Sequence, residues 1–379
     1  MGCRVALGDI CSFDRGASIP RTRMLNSGDL LYIHYGDLYK GFDLRIDVEK
    51  PAKPLPFIST DEKIKDSQRL NDQDIVYVLT SETVDDLGHA YLFNNPSGKS
   101  AVSGTETTIV RVERKDVVLP AYLNYLMSSP KFISELRQYT RGMKVFRVHP
   151  SDVARIEVDL PSIDEQRKVV AILDAIYEKQ QTNTKLNGYL EELVSLMFER
   201  LIEKCVETVP LSTYVTISSG KRPPIKSPVF TDECVFPLFG ASSQMGYTSE
   251  YLTDEKLLVI GRVGTNGVIQ RVSEKAWPSD NTLVIRSDHY ETASQLLQRV
   301  DYPSLNRGST QPLITQGDLK NYEVPRISPV ALERFENQAG QLMSLYDYNC
   351  IESAKLIELR DALLPRLMSG ELDVSGVTI

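Results

Sequence analysis

Sliding the sequence along itself by 166 residues lays 141–202 over 307–368 without a gap. Identities then fall at Arg141/Arg307, Gly142/Gly308, Asp152/Asp318, Glu157/Glu323, Val158/Val324, Asn183/Asn349, Leu190/Leu356, Glu192/Glu358, Leu193/Leu359, Arg200/Arg366 and Leu201/Leu367. Chance rarely places so many in one ungapped register, so the chain is a tandem duplication whose copies must share one plan. Upstream the copies diverge and the offset changes, as loops of unequal length require. Val5, Leu7, Gly16 and Gly36 align with Val209, Leu211, Gly220 and Gly240, 70–78 with 252–260, and 107–111 with 282–286. Each copy is a variable globular part followed by a more uniform segment.

The uniform segment has the period of a helix. After Pro161-Ser162-Ile163-Asp164, whose Ser or Asp can cap a first turn, apolar residues recur at Val169, Ile172, Leu173, Ile176, Leu186, Leu190, Leu193, Met197 and Leu201. The second copy carries Leu332, Phe335, Leu342, Leu345, Leu356, Leu359, Leu363 and Leu367 in the same phase. A run of about 40 residues makes a helix roughly 60 Å long, more than most single-domain cores can bury. An antiparallel or parallel pair is the economical way to bury both stripes. Its expected seam residues are Ile172, Ile176, Asn183, Leu190, Leu193 and Met197 on one helix, and Leu342, Asn349, Leu356, Leu359 and Leu363 on the other. A seam asparagine costs stability but fixes register and orientation; Asn183 and Asn349 occupy equivalent places, either there or facing solvent near a kink.

The globular parts read as mixed α and β. β-branched and aromatic runs at 30–34, 75–79, 107–112, 257–260 and 282–286 sit between Gly, Asn, Asp and Pro clusters, and short helices are expected at 121–127, 131–138 and 291–300. With 41% hydrophobic and 25% charged residues the chain is long enough for two or three cores, and disordered or collagen-like classes are excluded. No run approaches the roughly 20 apolar residues of a membrane span, and the first ten residues lack a basic segment before an apolar stretch, so a cytoplasmic protein without membrane contact is expected. The five cysteines, Cys3, Cys11, Cys205, Cys234 and Cys350, never take a Cys-x-x-Cys spacing; reduced thiols are expected and zinc is not.

A net charge of −8 argues against nucleic acid until its distribution is considered. Residues 1–160 hold 21 basic and 22 acidic groups and residues 206–325 hold 11 and 13, so both globular parts are near neutral. Acid-free basic loops stand out within them. Arg15, Arg21 and Arg23 surround Gly16, and Arg141, Lys144 and Arg147 lie in a stretch without an acid from Leu136 to Ser151. In the second copy Lys221, Arg222 and Lys226 follow Gly220, with no acid from Ile217 to Thr231, and Arg307, Thr310 and Gln311 replace the other loop. Cations on loops contact phosphates, while Arg, Asn, Gln, Ser and Thr read base edges. One basic loop is usually a solvated surface; the same placement in both copies favours DNA. Arg262 and Asn266, in Gly261-Arg262-Val263-Gly264-Thr265-Asn266-Gly267 after an expected strand, are further candidates, although a plain turn explains that spacing equally well.

Catalytic signatures are absent. Pro96-Ser97-Gly98-Lys99-Ser100 has Phe93 where a phosphate loop needs Gly, and a surface turn is expected there. His34, His89, His149 and His289 show no metal-ligand spacing, and no Asn-Pro-Pro-aromatic or Asp-Pro-Pro-aromatic word, Gly-x-Ser-x-Gly elbow or Pro-Asp…Glu-x-Lys cluster occurs. No catalytic residue and no metal site are therefore assigned. An enzyme would need one of those motifs, and a coiled-coil scaffold without DNA would need no twice-repeated basic loops.

With these words the chain resembles the specificity subunit of type I restriction-modification systems. The resemblance is carried by 152–161 running into Asp164-Glu165-Gln166-Arg167-Lys168-Val169-Val170-Ala171-Ile172-Leu173. Gly308-Ser309-Thr310-Gln311-Pro312-Leu313-Ile314 and Leu359-Arg360-Asp361-Ala362-Leu363-Leu364-Pro365-Arg366-Leu367-Met368-Ser369-Gly370-Glu371-Leu372 carry it equally. It implies an α+β fold: two similar mixed α/β target-recognition domains separated by two long helices forming an antiparallel coiled coil, with pseudo-two-fold internal symmetry. The expected divisions are 1–160, 161–205, 206–326 and 327–379.

The resemblance also implies that each domain reads one half of a split site in double-stranded DNA while the helices set the gap. Two methyltransferase subunits would bring S-adenosylmethionine, and two restriction subunits would use ATP and Mg; this subunit itself is expected to hold no cofactor. A methyltransferase system without restriction is the alternative. In the first copy Lys144-Val145-Phe146 departs from the Thr-Gln-Pro of the second, which weakens the base-reading assignment of that loop.

Overall fold

The computed structural model describes residues 3–39, 41–84, 86–264, 267–307 and 313–377. They form two compact units, residues 1–180 with 354–379, and residues 181–353. Each unit therefore takes a globular head and parts of both long helices, a grouping that chain order does not suggest.

In the first unit the main sheet runs in the order Cys11–Arg15, Thr107–Val112, Ile75–Val78, His89–Asn94, Arg45–Asp47, antiparallel except for the last pair. The second unit repeats this as Thr216–Ser219, Thr282–Arg286, Leu257–Gly261, Ile269–Val272, all antiparallel. The central strands are short β-branched runs buried on both faces, such as Ile75, Val76, Tyr77 and Val78. Helices Pro120–Met127 and Pro130–Arg137 cover the first sheet, and helix Tyr290–Gln298 covers the second, close to the positions expected from sequence.

Each head also opens and closes on one ribbon. Cys3–Ala6 pairs with Glu157–Leu160, and Thr208–Pro210 with Glu323–Pro325, so a long helix leaves each head beside the point where the chain enters it. A second shared device lies where the first sheet strand ends. The amides of Gly16 and Gly220 donate to the carbonyls of Thr107 and Thr282 (3.0 and 3.1 Å). A Cβ at either glycine would come within 2.0 or 2.1 Å of the Gly104 or Ser279 carbonyl oxygen. Only glycine fits that approach, so the basic loops that follow start from the same place in both heads.

The long helices are Ile163–Ile202 and Pro329–Met368, hereafter the central and terminal helix. Ser162 and Glu165 form a reciprocal cap at the start of the former: the Ser162 amide donates to Glu165 Oε2 (2.8 Å) and the Glu165 amide to Ser162 Oγ (3.4 Å). Within each unit the helices run antiparallel. In the second, Phe198 meets Phe335 edge-on (centroids 5.1 Å apart) while Asn183 Nδ2 donates to Ser353 Oγ (3.2 Å); in the first, Val169 and Leu173 share a core with Leu364 and Leu367. High numbers on one helix thus meet low numbers on the other.

The seam differs in phase from the sequence expectation. Ile176, Asn183, Leu190 and Asn349 are enclosed, and Ile172, Met197, Leu342, Leu356 and Leu363 lie half-buried at its margins. Leu193 and Leu359 do not belong to it: they are 46% and 47% exposed, while Val194 and Phe198 are buried on the central helix. An expectation that follows only the leucines drifts one residue off, because the enclosed line advances in mixed steps of three and four through polar Asn183 and Asn349.

Both asparagines are hydrogen-bonded inside the seam. Asn183 Nδ2 also reaches Glu352 Oε2 (2.8 Å), and Asn349 Nδ2 donates to Asn187 Oδ1 (2.8 Å). Such a layer specifies pairing at the expense of stability. Leucine at Asn183, Asn187 and Asn349 together leaves none of these amides orphaned. It is expected to raise the melting temperature by about 2–8 °C, from roughly 1–2 kcal/mol of stability. An unchanged or lower value in a thermal melt would show that the layer costs nothing.

Each head is tied to the helices of its own unit by a largely enclosed arginine. In the first unit Arg45 pairs with Asp174 of the central helix, sits 4.7 Å over the Tyr177 ring and donates to Tyr125 Oη (3.2 Å), which itself donates to Asp174 (2.7 Å). Arg360 of the terminal helix pairs back to Asp43. In the second unit Arg271 forks onto Glu291 (2.7 and 2.9 Å) and onto Asp347 of the terminal helix (3.1 and 3.3 Å). Glu336 of that helix accepts the Glu291 and Thr292 amides (2.8 and 3.0 Å) at the start of helix Tyr290–Gln298. The 166-residue shift places Asp174 opposite Gly340 and Asp347 opposite Gln181, so the two heads reach the same solution with different residues.

Candidate nucleic-acid interface

The strongest repeat of chemistry lies at the end of each head, where an arginine is bonded to the backbone six residues further on. The Arg141 amide donates to the Arg147 carbonyl (2.9 Å) and receives the reverse bond (2.8 Å); the Arg307 amide donates to the Leu313 carbonyl (3.1 Å). After each hairpin comes a short capped helix. His149 Nδ1 accepts the Ser151 amide ahead of Pro150–Val153, and Thr315 Oγ1 accepts the Asp318 amide ahead of Gln316–Lys320. That helix supplies an aspartate to the hairpin arginine. Arg141 Nη2 donates to Asp152 Oδ2 at 2.9 Å, and Arg307 Nη2 pairs with Asp318 Oδ1. Arg141/Arg307, Arg147/Leu313, His149/Thr315 and Asp152/Asp318 all obey the 166-residue offset.

The pairing aims the arginines rather than burying them. Asp152 and Asp318 lie deep, at 6% and 9% side-chain exposure, whereas Arg141 and Arg307 remain 74% and 69% exposed. One edge of each guanidinium is held and the other faces solvent. A fork held along one edge keeps donors free for a two-atom acceptor such as a pair of phosphate oxygens or a guanine edge. The Thr315 hydroxyl and then Arg307 hold the Asp318 carboxyl below the ordinary aspartate value, against burial, which pushes it up. Asp318 therefore stays an anion across the physiological range.

The structure gathers some of the expected residues and separates others. Arg15, at the end of strand Cys11–Arg15, lies 2.8 Å from His149 Nε2, and Arg147 reaches Glu106 (3.4 Å), so both join Arg141 and exposed Lys144 around the hairpin. Arg21 and Arg23 stand on a separate turn, Arg21 facing Asp37 (3.6 Å) and Arg23 facing Glu62 (3.2 Å). The Arg21 cation adds to the burial that lowers the His34 imidazole.

In the second unit Lys221, Arg222 and Lys226 are exposed on the loop after Gly220, and no carboxylate pairs with them among the described residues. Arg262 is half-buried beside the hairpin base, its carbonyl accepting the Ile314 amide (3.0 Å) and its Nε without a partner among the described residues. Asn266, Thr310 and Gln311 lie outside the described residues.

The weak motifs resolve simply. Residues 95–99 form a surface turn closed by Asn95, whose side chain donates to the Lys99 carbonyl (2.8 Å) and accepts the Lys99 amide (3.0 Å). Among the described residues no group of three His, Cys, Asp or Glu is arranged to hold a metal, and no helix is long and apolar enough to cross a membrane. What sequence reading missed is the anchoring role of Asp152 and Asp318; both were visible as identities, but only their approach to the arginines assigns them a task.

Comparison with known proteins agrees with this architecture. Residues 4–192 match the family model described as the type I restriction modification DNA specificity domain. The type I restriction enzyme MjaIX specificity subunit of Methanocaldococcus jannaschii is 22% identical over 309 residues, which is 69% of this chain and 71% of that one. The S subunit of a type I restriction-modification system from M. genitalium superposes with a TM-score of 0.60 at 15% identity, covering 97% of this chain and 96% of that one. At that identity the likeness speaks for the fold.

Proposed function

The chain belongs to the type I restriction-modification DNA specificity family, and from that premise we propose that each head grips one half of a split double-stranded DNA site through the hairpin 141–147 in the first head and the segment that starts at Arg307 in the second. The observation that carries this reading is the arginine held along one edge by a buried aspartate and built twice, at Arg141–Asp152 and Arg307–Asp318. Arg15, Lys144 and Arg147 in the first head and Lys221, Arg222, Lys226 and Arg262 in the second supply phosphate contacts, which position the heads on the duplex without reading bases.

The helices act as the ruler between the half-sites and as the seat for partner subunits. Leu186, Tyr189, Leu193 and Leu196 form an exposed apolar line beside the buried seam of the central helix. A second apolar line on a solvated helix suits packing against another helix. We assign that seat to two methyltransferase subunits, which bring S-adenosylmethionine, with two restriction subunits using ATP and Mg joining the complex. The chain itself is the non-catalytic reader, working in the cytoplasm. Because each head is near neutral, the isolated chain binds DNA weakly and the assembled complex binds it well.

Heptad insertion tests the ruler. Seven residues added near Thr182 and seven near Tyr348, on facing stretches of the antiparallel pair, keep the seam in phase and lengthen it by about 10 Å. Methylome mapping of cells expressing this variant with its partners should show the same half-sites about three base pairs further apart. Methylation at the original spacing refutes the ruler.

A further inference from the structure

We propose that the second head reads thymine C5-methyl groups with an apolar patch formed by the loop after Gly220 and the hairpin beneath it, and that the hairpin tip of the first head does likewise on a smaller scale. This rests on the reading above that the heads contact DNA, and it specifies what they read. The loop and hairpin expose Ile225, Val229, Phe230, Val235, Met245 and Tyr251, and the patch centres on Phe230, which packs on Tyr247, and on Met245, two positions before Tyr247 on the same strand. Val229, Phe230 and Met245 show 61%, 60% and 50% of their surface to solvent. Large apolar side chains gathered on one surface mark a contact site.

Local geometry fixes this patch in place. Ser227 and Tyr247 exchange both backbone hydrogen bonds (2.9 and 2.8 Å), and the Phe230 ring meets the Tyr247 ring edge-on, 5.5 Å between centroids. Gly246 has φ +141°, and a Cβ there would come within 2.2 Å of the Ser227 carbonyl oxygen, so glycine lets the loop lie flat on the hairpin of strands Phe236–Phe239 and Gln244–Thr248. Lys221, Arg222 and Lys226 belong to the same loop, and its first acids, Asp232 and Glu233, come after Phe230.

Cations without carboxylate partners select a polyanion over an ordinary protein surface. On DNA, the base edges in the major groove present donors and acceptors, and the one apolar group among them is the thymine methyl. A phenylalanine or methionine held against a base edge by flanking phosphate contacts therefore gains from thymine and loses from any other base. The first head also sets exposed apolar side chains among cations at its hairpin tip, although there Arg141 and Arg147 have carboxylate partners. Met143 is 94% exposed and Val145 is exposed beside it, on either side of Lys144 and between Arg141 and Arg147.

The test uses the complex assembled with its methyltransferase partner and a duplex carrying the target found by methylome mapping. Replacing thymidine by deoxyuridine in one half-site at a time removes only the methyl group. Each contacted methyl lost is expected to weaken binding about three- to fivefold. The F230A/M245A complex should lose that sensitivity in the second half-site, and M143A in the first, while both variants melt as the parent does. Equal affinity for the thymidine and deoxyuridine duplexes overturns the proposal but leaves DNA reading intact. So does a deoxyuridine penalty undiminished in F230A/M245A, or failure of that variant to assemble with its partner while the parent ignores the methyls. Absence of sequence-specific binding to either duplex defeats the underlying reading instead.

Discussion

Alanine at Arg141 or at Arg307 should weaken binding of the assembled complex to its target by about 10- to 100-fold, and the double substitution should abolish specific binding. A hydrogen bond to a charged group contributes roughly 1.5–3 kcal/mol, the range that sets the single-site effect. The double effect is larger than either because the two heads are linked: once one lets go, the other loses the high effective concentration that tethering supplies. Lysine should not rescue either site, since a single ammonium cannot hold Asp152 or Asp318 along one edge and DNA along the other. Equilibrium binding to the target and to a scrambled duplex separates the two kinds of contact. Loss on both duplexes with a shallower salt dependence marks a phosphate contact, and loss on the target alone marks a base contact. Unchanged affinity in both single variants would remove the hairpins from the DNA-facing surface.

Much of this architecture was legible before any coordinates. Periodic apolar residues located both long helices, a capping Ser162 marked the start of the central one, and the β-branched runs at 75–79, 107–112 and 282–286 located the strands, because periodicity and β-branched runs both come from burial patterns that nearby residues share. The identities Arg141/Arg307 and Asp152/Asp318 were also visible. Their connection was not, since eleven residues separate arginine from aspartate and only the folded hairpin and capped helix bring them together. The seam phase failed at Leu193 and Leu359 for a related reason: the same residue type stands on the buried and on the exposed line of these helices, so leucine spacing alone does not separate the two. The enclosed arginines were invisible, as Arg45 and Arg271 stand 129 and 76 residues from their helix carboxylates. Nor could charge counting reveal Phe230 and Met245, because an apolar residue in a loop looks in sequence like one that will be buried.

Those enclosed arginines carry the largest expected effect on stability. Methionine at Arg271 removes the fork that holds Glu291, whose exposure is 2%, and Asp347 on the terminal helix. A buried carboxylate stripped of its partner costs about 3–5 kcal/mol, and Lys256, 3.3 Å from both carboxylates, offsets part of that. A loss of roughly 3 kcal/mol in the second unit is therefore expected by chemical denaturation, with faster amide exchange in helix Tyr290–Gln298. Changing Glu291 and Asp347 to apolar residues of similar size in the same variant should recover most of it, because then no charge is left buried. Arg45→Met should cost less, as Asp174 keeps its hydrogen bond from Tyr125 Oη.

The functional consequence separates a positioning role from plain stability. A head no longer fixed to its own helices can pivot, so the R271M complex should methylate sites whose gap is one base pair shorter or longer than the parent accepts. The apolar triple variant, stable but equally unlatched, should show the same relaxation. If the triple variant is stable and keeps the parental spacing, the arginine merely holds the fold together. If its spacing relaxes, the ruler needs a rigid joint at the head as much as a rigid helix pair.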